Sequence, residues 1–216
     1  MLAHQQHHLL IERMRAMRQR GFSLIEIIVT ITVLAMVLVA AMPSLGTWLD
    51  NSRIRNVTDS LQNGLQLARG EAVRRNQSIS FWLVNLNDPG VLSNDCTLSG
   101  SSGSWVVSVD SPIGHCADSP STVSSPKLVQ GRTVGDAGGK VSVTATQSDG
   151  TAGTSVTFNG FGRITNTDAI QKIVVTGTNT GTTYRALRIE ITSGGQVRMC
   201  DPNISASTDS RKCSLP

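Results

Sequence analysis

The sequence predicts an α+β fold in which one long N-terminal helix packs on an antiparallel β-sheet domain. Three patterns lead to this prediction. Residues 22–42 are almost continuously apolar, residues 54–72 place apolar side chains every three or four positions, and after Asn76 the apolar period changes to two. A period near 3.6 is typical of an amphipathic helix, and a period of two is typical of a strand with one buried face.

We expect the helix to cover residues 22–76. Its first half, Phe22–Met42, would be about 30 Å long, which is enough to cross a bilayer. We expect Pro43 to kink the helix because proline lacks a backbone donor, and Gly64 to weaken it by about 1 kcal/mol relative to alanine. The second half carries one apolar stripe that should pack on the domain: Ile54, Val57, Leu61, Leu65, Ala68 and Ala72.

After the helix, short runs rich in β-branched and aromatic residues alternate with segments rich in Gly, Asn, Asp and Ser. This alternation is typical of strands joined by turns. The sequence therefore predicts that residues 77–216 form one globular domain with a single antiparallel sheet. The predicted strands are 78–84, 105–109, 127–134, 140–146, 155–158, 170–176, 184–192 and 196–199.

The apolar run follows a basic segment and contains one charged residue, Glu26. By the positive-inside rule the arginines at 13, 15, 18 and 20 stay in the cytoplasm, so the domain would be periplasmic. A carboxylate at the centre of a membrane span costs about 2.5–3.5 kcal/mol, and less near an interface. Glu26 therefore either faces lipid headgroups or pairs with a positive group supplied by processing or by another subunit.

The stretch 21–26 (GFSLIE) resembles the leader junction of type IV pilins and type II secretion pseudopilins. The resemblance implies that prepilin peptidase removes residues 1–21 by cutting after Gly21 and then methylates Phe22. It also implies that residues 22–42 span the inner membrane. Glu26 would meet the new amino group of Phe22, in its own or a neighbouring subunit, during assembly. Pro43 lies where this family carries a proline.

Two stretches of the domain are similar to the GspH/FimT branch of minor pilins. Residues 156–163 (VTFNGFGR) resemble its strand–turn–strand, and residues 187–202 resemble its last hairpin, which FimT- and FimU-like pilins follow with a cysteine-closed tail. The resemblance implies a type IV pilin-like fold with a tail closed by Cys200 and Cys213. It also implies a non-enzymatic subunit that primes or caps a type IV pilus or a type II secretion pseudopilus, with other minor and major pilins or pseudopilins as partners.

A Sec signal peptide is the rival interpretation of the N-terminus. Residues 1–20 would be its basic region, and residues 39–41 (VAA) would be a passable cleavage site. The apolar run is longer than the usual length of about 7–15 residues, and it contains a glutamate. Both observations favour the pilin interpretation.

The four cysteines, Cys96, Cys116, Cys200 and Cys213, all follow the apolar run. An even count in an oxidising compartment favours disulfides, and three pairings are open. The sequential pairing would close two short loops, each worth about 3 kcal/mol in the chain-entropy model. Neither a metal nor a cofactor site is predicted, because no pair has the CxxC spacing of zinc and redox motifs.

Composition argues against an enzyme. The only histidine beyond the leader, His115, adjoins Cys116, and a disulfide-bonded cysteine is not a nucleophile. The chain carries 19 Lys and Arg against 15 Asp and Glu. The leader takes away four arginines and one glutamate, so the mature chain is nearly neutral and its global charge attracts DNA only weakly.

A DNA-binding minor pilin for natural transformation is the alternative function. Some FimT-like pilins bind DNA through a G-R-x-R motif in the last hairpin, and residues 195–198 (GQVR) match it except for a glutamine at the first arginine. Arg198, Arg211 and Lys212 would form a small patch for phosphate contacts, which gives weak and salt-sensitive binding. The plainer interpretation is a solvated sheet edge whose charges oppose aggregation.

Overall fold

The computed structural model describes residues 21–179 and 183–215, with residues 40–44 described only as helical backbone. The predicted leader, residues 1–20, lies outside the described residues. Contacts divide the chain into two compact units, Met1–Ser44 and Leu45–Pro216. The elements are α1 (Leu24–Arg75), β1 (Ile79–Asn85), β2 (Thr97–Leu98), β3 (Ser104–Ser108), β4 (Leu128–Arg132), a 3₁₀ turn (Gly135–Ala137), β5 (Val141–Thr146), β6 (Ser155–Phe158), β7 (Lys172–Gly177), β8 (Leu187–Ile191) and β9 (Val197–Cys200).

The first unit contains the beginning of α1. Ser23 caps the helix, because its Oγ accepts a hydrogen bond from the backbone N–H of Glu26 at 3.2 Å. Every described side chain from Phe22 to Val39 is exposed. Among the described residues, no helix combines the length and the hydropathy that a membrane span needs. Pro43 lies inside α1 and does not end it, and the kink stays a prediction.

In the second unit, the predicted apolar stripe of α1 forms one wall of the main core. All six of its side chains are at most 4% exposed, which confirms the amphipathic assignment: Ile54, Val57, Leu61, Leu65, Ala68 and Ala72. The helix ends at Arg75, and Asn76 follows with a positive φ of 50°. Asparagine tolerates this left-handed conformation better than most residues and so suits a helix end.

Gly64 has a packing role that the sequence did not reveal. A Cβ at this position would lie 2.8 Å from ring atoms of both Phe81 and Trp105. These two rings pack with centroids 5.8 Å apart, and the Trp105 indole N–H donates to Ser60 Oγ at 3.0 Å. Gly64 therefore lets α1 approach the sheet closely, a role that its low helix propensity does not reveal.

The strands form two antiparallel sheets, whereas the sequence predicted one. The first sheet has the order β2-β1-β3-β4, with β6 also paired to β1, and the second has the order β5-β7-β8-β9. β6 pairs with the first residues of β1, and β2 pairs with its last two residues. β6 and β2 therefore share one edge of β1. The period of two predicts that a segment is a strand but not which strand it pairs with, and β2 is too short to show a period at all.

β1 is buried on both faces, which explains its nearly continuous apolar sequence. The face of β1 that is turned away from α1 packs against the connections before and after β3. The Cys96–Cys116 disulfide lies inside this second apolar cluster. The structure therefore has the sequential cysteine pairing, one of the three that the sequence left open. The second cluster consists of Val84, Leu86, Cys96, Val106, Cys116 and Leu128, with Trp82, Leu92 and Leu98 packed against it.

The two stretches that resemble minor pilins meet beside the end of α1. The Gly162 carbonyl accepts a hydrogen bond from Arg69 Nε at 3.1 Å. A Cβ on Gly195 would collide with the same carbonyl oxygen, and Gly195 has a φ of +82°. Gly195 is therefore needed for this close approach as well as for its backbone conformation.

Candidate assembly site and C-terminal cluster

The predicted assembly residues lie at the start of α1. Gly21 and Phe22 precede the helix, and the Phe22 side chain is 77% exposed. Glu26 lies in the first turn, where a negative charge is favoured by the positive end of the helix dipole. Its carboxylate makes no hydrogen bond or ion pair with any described residue. Ser23, which fixes where the helix begins, was missed as a functional candidate, although its spacing from Glu26 matches a capping box.

A buried carboxylate organises the other end of the chain. Glu190 on β8 is 2% exposed, and it accepts hydrogen bonds from the backbone N–H groups of Ser214 and Leu215 at 3.0 and 2.8 Å. The Ser214 hydroxyl donates to it at 2.8 Å, and Arg198 Nη2 on the neighbouring β9 donates at 3.0 Å. Glu190 and Arg198 are direct partners in the strand register. We call Glu190, Arg198, Ser214, Leu215 and the Cys200–Cys213 disulfide the C-terminal cluster.

The electrostatics of this cluster favour the charged form of Glu190. Burial alone would raise the pKa of this carboxyl group. The hydrogen bonds from the Ser214 backbone, the Arg198 guanidinium, the Leu215 backbone and the Ser214 hydroxyl outweigh that effect and lower the pKa to about 2. Glu190 is therefore ionised at neutral pH and holds the tail against β8 and β9.

Sequence reasoning missed Glu190 because it alternates with Ile189 and Ile191 along β8, a pattern typical of a solvent-facing residue. The tail after the Cys200–Cys213 disulfide covers that face instead. The signal that could have found it is the pair of opposite charges at Glu190 and Arg198, two residues on strands joined by a short turn.

The guanidinium groups of Arg198 and Arg211, two of the three predicted DNA-contacting residues, are engaged inside the chain. Besides Glu190, Arg198 Nη2 donates to the Lys212 carbonyl and to Ser214 Oγ, both at 3.0 Å. Arg211 binds Asp209 with two side-chain hydrogen bonds, of 3.1 and 2.8 Å, and these bonds lower the pKa of Asp209 to about 2. A phosphate would have to compete with these carboxylates. DNA contact by Arg198, Arg211 and Lys212 stays a prediction.

Two sets of residues could be reactive, a group of metal-ligand types and a Cys–His pair, but their sulfur atoms are in disulfide bonds. Glu190 and the sulfur atoms of Cys200 and Cys213 offer ligand atoms within 4.8 Å of one another. The two sulfur atoms are joined to each other, however, so neither is a thiolate that could bind a metal ion. His115 Nδ1 lies 2.8 Å from Asp118 Oδ2 on the surface, and the neighbouring Cys116 is bonded to Cys96.

A long capped helix packed on antiparallel sheets, with a disulfide-closed tail, defines a pilin-like α+β protein. Comparison with known families agrees with this class. Residues 57–207 match the family of the type II transport protein GspH, and residues 16–42 match the prokaryotic N-terminal methylation motif. The chain belongs to the GspH family.

The family and its motif give the chain a coarse function. It is a minor pilin or pseudopilin of a type II secretion system or a type IV pilus, and such proteins are structural subunits rather than enzymes. The methylation motif implies an inner-membrane-anchored pilin that prepilin peptidase processes and that assembles with other pilins.

Solved structures of a minor pilin are similar at low identity. Two crystal structures of the type IV minor pilin FimU from Pseudomonas aeruginosa (strain PAO1) are each 17% identical to this chain. The one in space group P21 covers 70% of this chain and 91% of its own, with a TM-score of 0.44. The one in space group P65 covers 67% and 90%, with a TM-score of 0.41. No curated protein matches the chain.

Proposed function

We propose that this chain is a non-enzymatic subunit that primes or caps assembly of a type IV pilus or a type II secretion pseudopilus. The observation that carries the proposal is the Glu26 carboxylate, which lies in an apolar helix and has no partner among the described residues. A carboxylate in such surroundings needs a positive partner when the helix enters lipid or a packed filament. Removal of the leader creates that partner, the amino group of Phe22.

The helix start supports cleavage after Gly21. Because Ser23 caps α1, the Gly21–Phe22 bond lies outside the helix, and both residues are exposed. Exposed, non-helical segments are the preferred sites of proteolysis. In the proposed sequence of events, prepilin peptidase cuts this bond and methylates Phe22, and the new amino group then pairs with Glu26 of the same or a neighbouring subunit.

The proposed topology is a single membrane pass. Residues 22–42 cross the inner membrane, the arginine-rich segment before them faces the cytoplasm, and the β-rich domain lies in the periplasm. Pro43 follows the span directly. During assembly the apolar surface of 22–42 would leave lipid and pack against the corresponding helices of other pilins.

Mass spectrometry of the mature N-terminus tests the processing step. We expect the mature chain to begin with methylated Phe22. A mature chain that begins at Met42 would contradict the pilin mechanism, because it would mean that the apolar run is a cleaved signal peptide.

Two substitutions at Glu26 test the assembly step. Glu26→Ala and Glu26→Gln should both leave cleavage largely intact and reduce incorporation into filaments at least tenfold, because each removes the charge that pairs with the amino group. Asp136→Asn is the matched control, since Asp136 is an exposed carboxylate in the second unit. Normal incorporation of Glu26→Gln would mean that the carboxylate has no role in assembly.

A further inference from the structure

The segment between β6 and β7 begins with a tight turn, residues 159–163, that presents an exposed aromatic side chain. Phe161 is 83% exposed, although large aromatic side chains are usually at least half buried. The exposure is not a sign of a loose loop. The backbone N–H of Asn159 donates to the Arg163 carbonyl at 2.9 Å, and the N–H of Gly162 donates to the Asn159 carbonyl at 2.8 Å.

The Asn159 side chain fixes the turn further. Its Oδ1 accepts hydrogen bonds from the backbone N–H groups of Phe161 and Arg163, at 3.0 and 3.1 Å. The local polar groups of the turn are therefore satisfied with Phe161 pointing outward. A partner that binds Phe161 would meet a backbone that is already ordered, which lowers the entropic cost of binding.

The turn is also anchored to the end of α1. A Cβ on Gly162 would lie 3.3 Å from Val73 Cγ2, and one on Gly160 would lie 3.1 Å from the Asn76 Cα atom. Val73 is itself 51% exposed. Phe161 thus projects from a turn whose Gly162 lies beside Val73, and we call the exposed side chains of Phe161 and Val73 the Phe161 surface.

The charges around this surface are positive. Arg163 is exposed, and its side chain makes no hydrogen bond or ion pair with any described residue. Arg69 is exposed as well and uses only its Nε, in the bond to the Gly162 carbonyl. The nearby Arg74 and Arg75 share one carboxylate, that of Glu71. Aromatic side chains and arginines are the residue types that interfaces favour, and they dominate binding hot spots.

We propose that Phe161 inserts into an apolar recess with an acidic rim on a different pilin subunit of the same filament. This rests on the proposed function, because it assumes assembly with other pilins. The acidic rim follows from the unpaired Arg163 and the partly used Arg69. Two cavities among the described residues, of about 120 and 410 Å³, have no carboxylate in their linings, so neither of them offers such a recess on a second copy of this chain.

Phe161→Ala should lower affinity for the partner subunit at least tenfold, because an inserted aromatic side chain is a typical hot spot. Val91→Ala is the matched control, since Val91 is also an exposed apolar residue but follows β1, whereas the turn that carries Phe161 lies against Asn76 before β1. Both full-length variants, in detergent, should unfold at the parent's temperature. Each purified pilin that is encoded alongside this chain is titrated with the parent and with the two variants, and the dissociation constants are compared. Equal affinity of the parent and Phe161→Ala for every subunit would overturn the proposal.

Charge reversal and cross-linking identify the partner's chemistry. Arg163→Glu should weaken binding more than Arg163→Ala, and binding by the parent should weaken as salt rises. A photo-reactive phenylalanine analogue at position 161 should cross-link to a different subunit, next to an Asp or Glu. Cross-linking to a second copy of this chain, or to lipid alone, would overturn the proposal.

The outcome for Glu26 separates this inference from the proposed function. If Glu26→Gln blocks incorporation and Phe161→Ala does not weaken subunit binding, the Phe161 surface is not an interface and the proposed function stands. If neither change affects incorporation or subunit binding, both the inference and the proposed function fail.

Discussion

Glu26 and Glu190 are two carboxylates in apolar segments with opposite surroundings. Glu190 is 2% exposed and receives hydrogen bonds from Arg198, Ser214 and Leu215 of the same chain. Glu26 is exposed and has no side-chain partner among the described residues. A buried charge that finds its partners within its own chain contributes to that chain's fold. One without such partners stays free to pair with a group that arises later.

The comparison assigns the two residues to different steps. Loss of Glu190 should damage the folded subunit, whereas loss of Glu26 should leave the fold intact and damage assembly.

The largest effect is expected for Glu190→Gln. The change removes the negative partner of Arg198 and of Arg188, whose nitrogen atoms lie 3.0 and 3.6 Å from the carboxylate. We expect a loss of about 3 kcal/mol of unfolding free energy, at the lower end of the cost of breaking a buried pair, because the Arg198 side chain is 37% exposed. Denaturant unfolding of the full chain in detergent measures it. Glu26→Gln is the control, and its unfolding free energy should stay within about 0.5 kcal/mol of the parent's. Equal losses in the two variants would remove the distinction between the carboxylates.

Acid should destabilise the subunit through the same residue. The pKa of Glu190 is about 2 in the folded chain against a usual value of 4.5, so its contribution is complete above pH 4.5 and is lost as pH falls towards 2. The size of that contribution is about 3 kcal/mol. Unfolding measured from pH 6 down to about pH 2 should show this dependence in the parent and a smaller one in Glu190→Gln, where Asp209, whose pKa is also lowered to about 2, still contributes. A pH dependence in Glu190→Gln equal to the parent's would place the acid sensitivity elsewhere.

The two disulfides should differ in their effect on the slope of unfolding free energy against pH. Replacing Cys200 and Cys213 by serine should cost about 2–3 kcal/mol and release the tail that binds Glu190, so the acid slope should shrink. Replacing Cys96 and Cys116 should cost a similar free energy but leave the slope unchanged, because that disulfide lies in the second apolar cluster. An unchanged slope in the first variant would mean that the tail keeps its place without the covalent link.

Much of the fold followed from local pattern. The stripe of α1 and eight of the strands could be predicted because periodicity and turn residues are local features of the sequence. The cysteine-closed tail was implied by the resemblance to minor pilins, since the residues alone left three pairings open. The division into two sheets, the strand β2 and the role of Gly64 could not be predicted. Each depends on pairing or packing between distant segments, such as the approach of Gly64 to Phe81 and Trp105.

The functional residues likewise include some that could be predicted from the sequence and some that could not. Gly21, Phe22 and Glu26 could be chosen because they form one short motif that resembles a pilin leader junction. The burial of Glu190 could not be predicted, because the tail that covers it lies more than twenty positions away. Arg198 was chosen for DNA on the strength of a motif, although the hairpin register places it opposite Glu190.

The smallest effect is expected for DNA binding. Its measurement decides whether Arg198 belongs to a DNA-binding patch or only holds Glu190 and the tail. Arg211→Ala with Lys212→Ala removes two cations of the predicted patch and leaves the Arg198–Glu190 contact in place. If the patch binds phosphates, this double substitution should reduce the slope of log affinity for DNA against log salt concentration by about two. The control is Arg132→Ala with Lys140→Ala, two cations that lie elsewhere, and it should leave this slope unchanged.

Gel shifts of the full chain in detergent at low salt measure this slope. A parent chain that does not shift DNA would end the DNA hypothesis and leave Arg198 with the role that its geometry supports. It would then act with Arg188 and the N–H groups of the tail to keep Glu190 charged and the tail in place, in contrast to Glu26, whose proposed cation is made by cleavage.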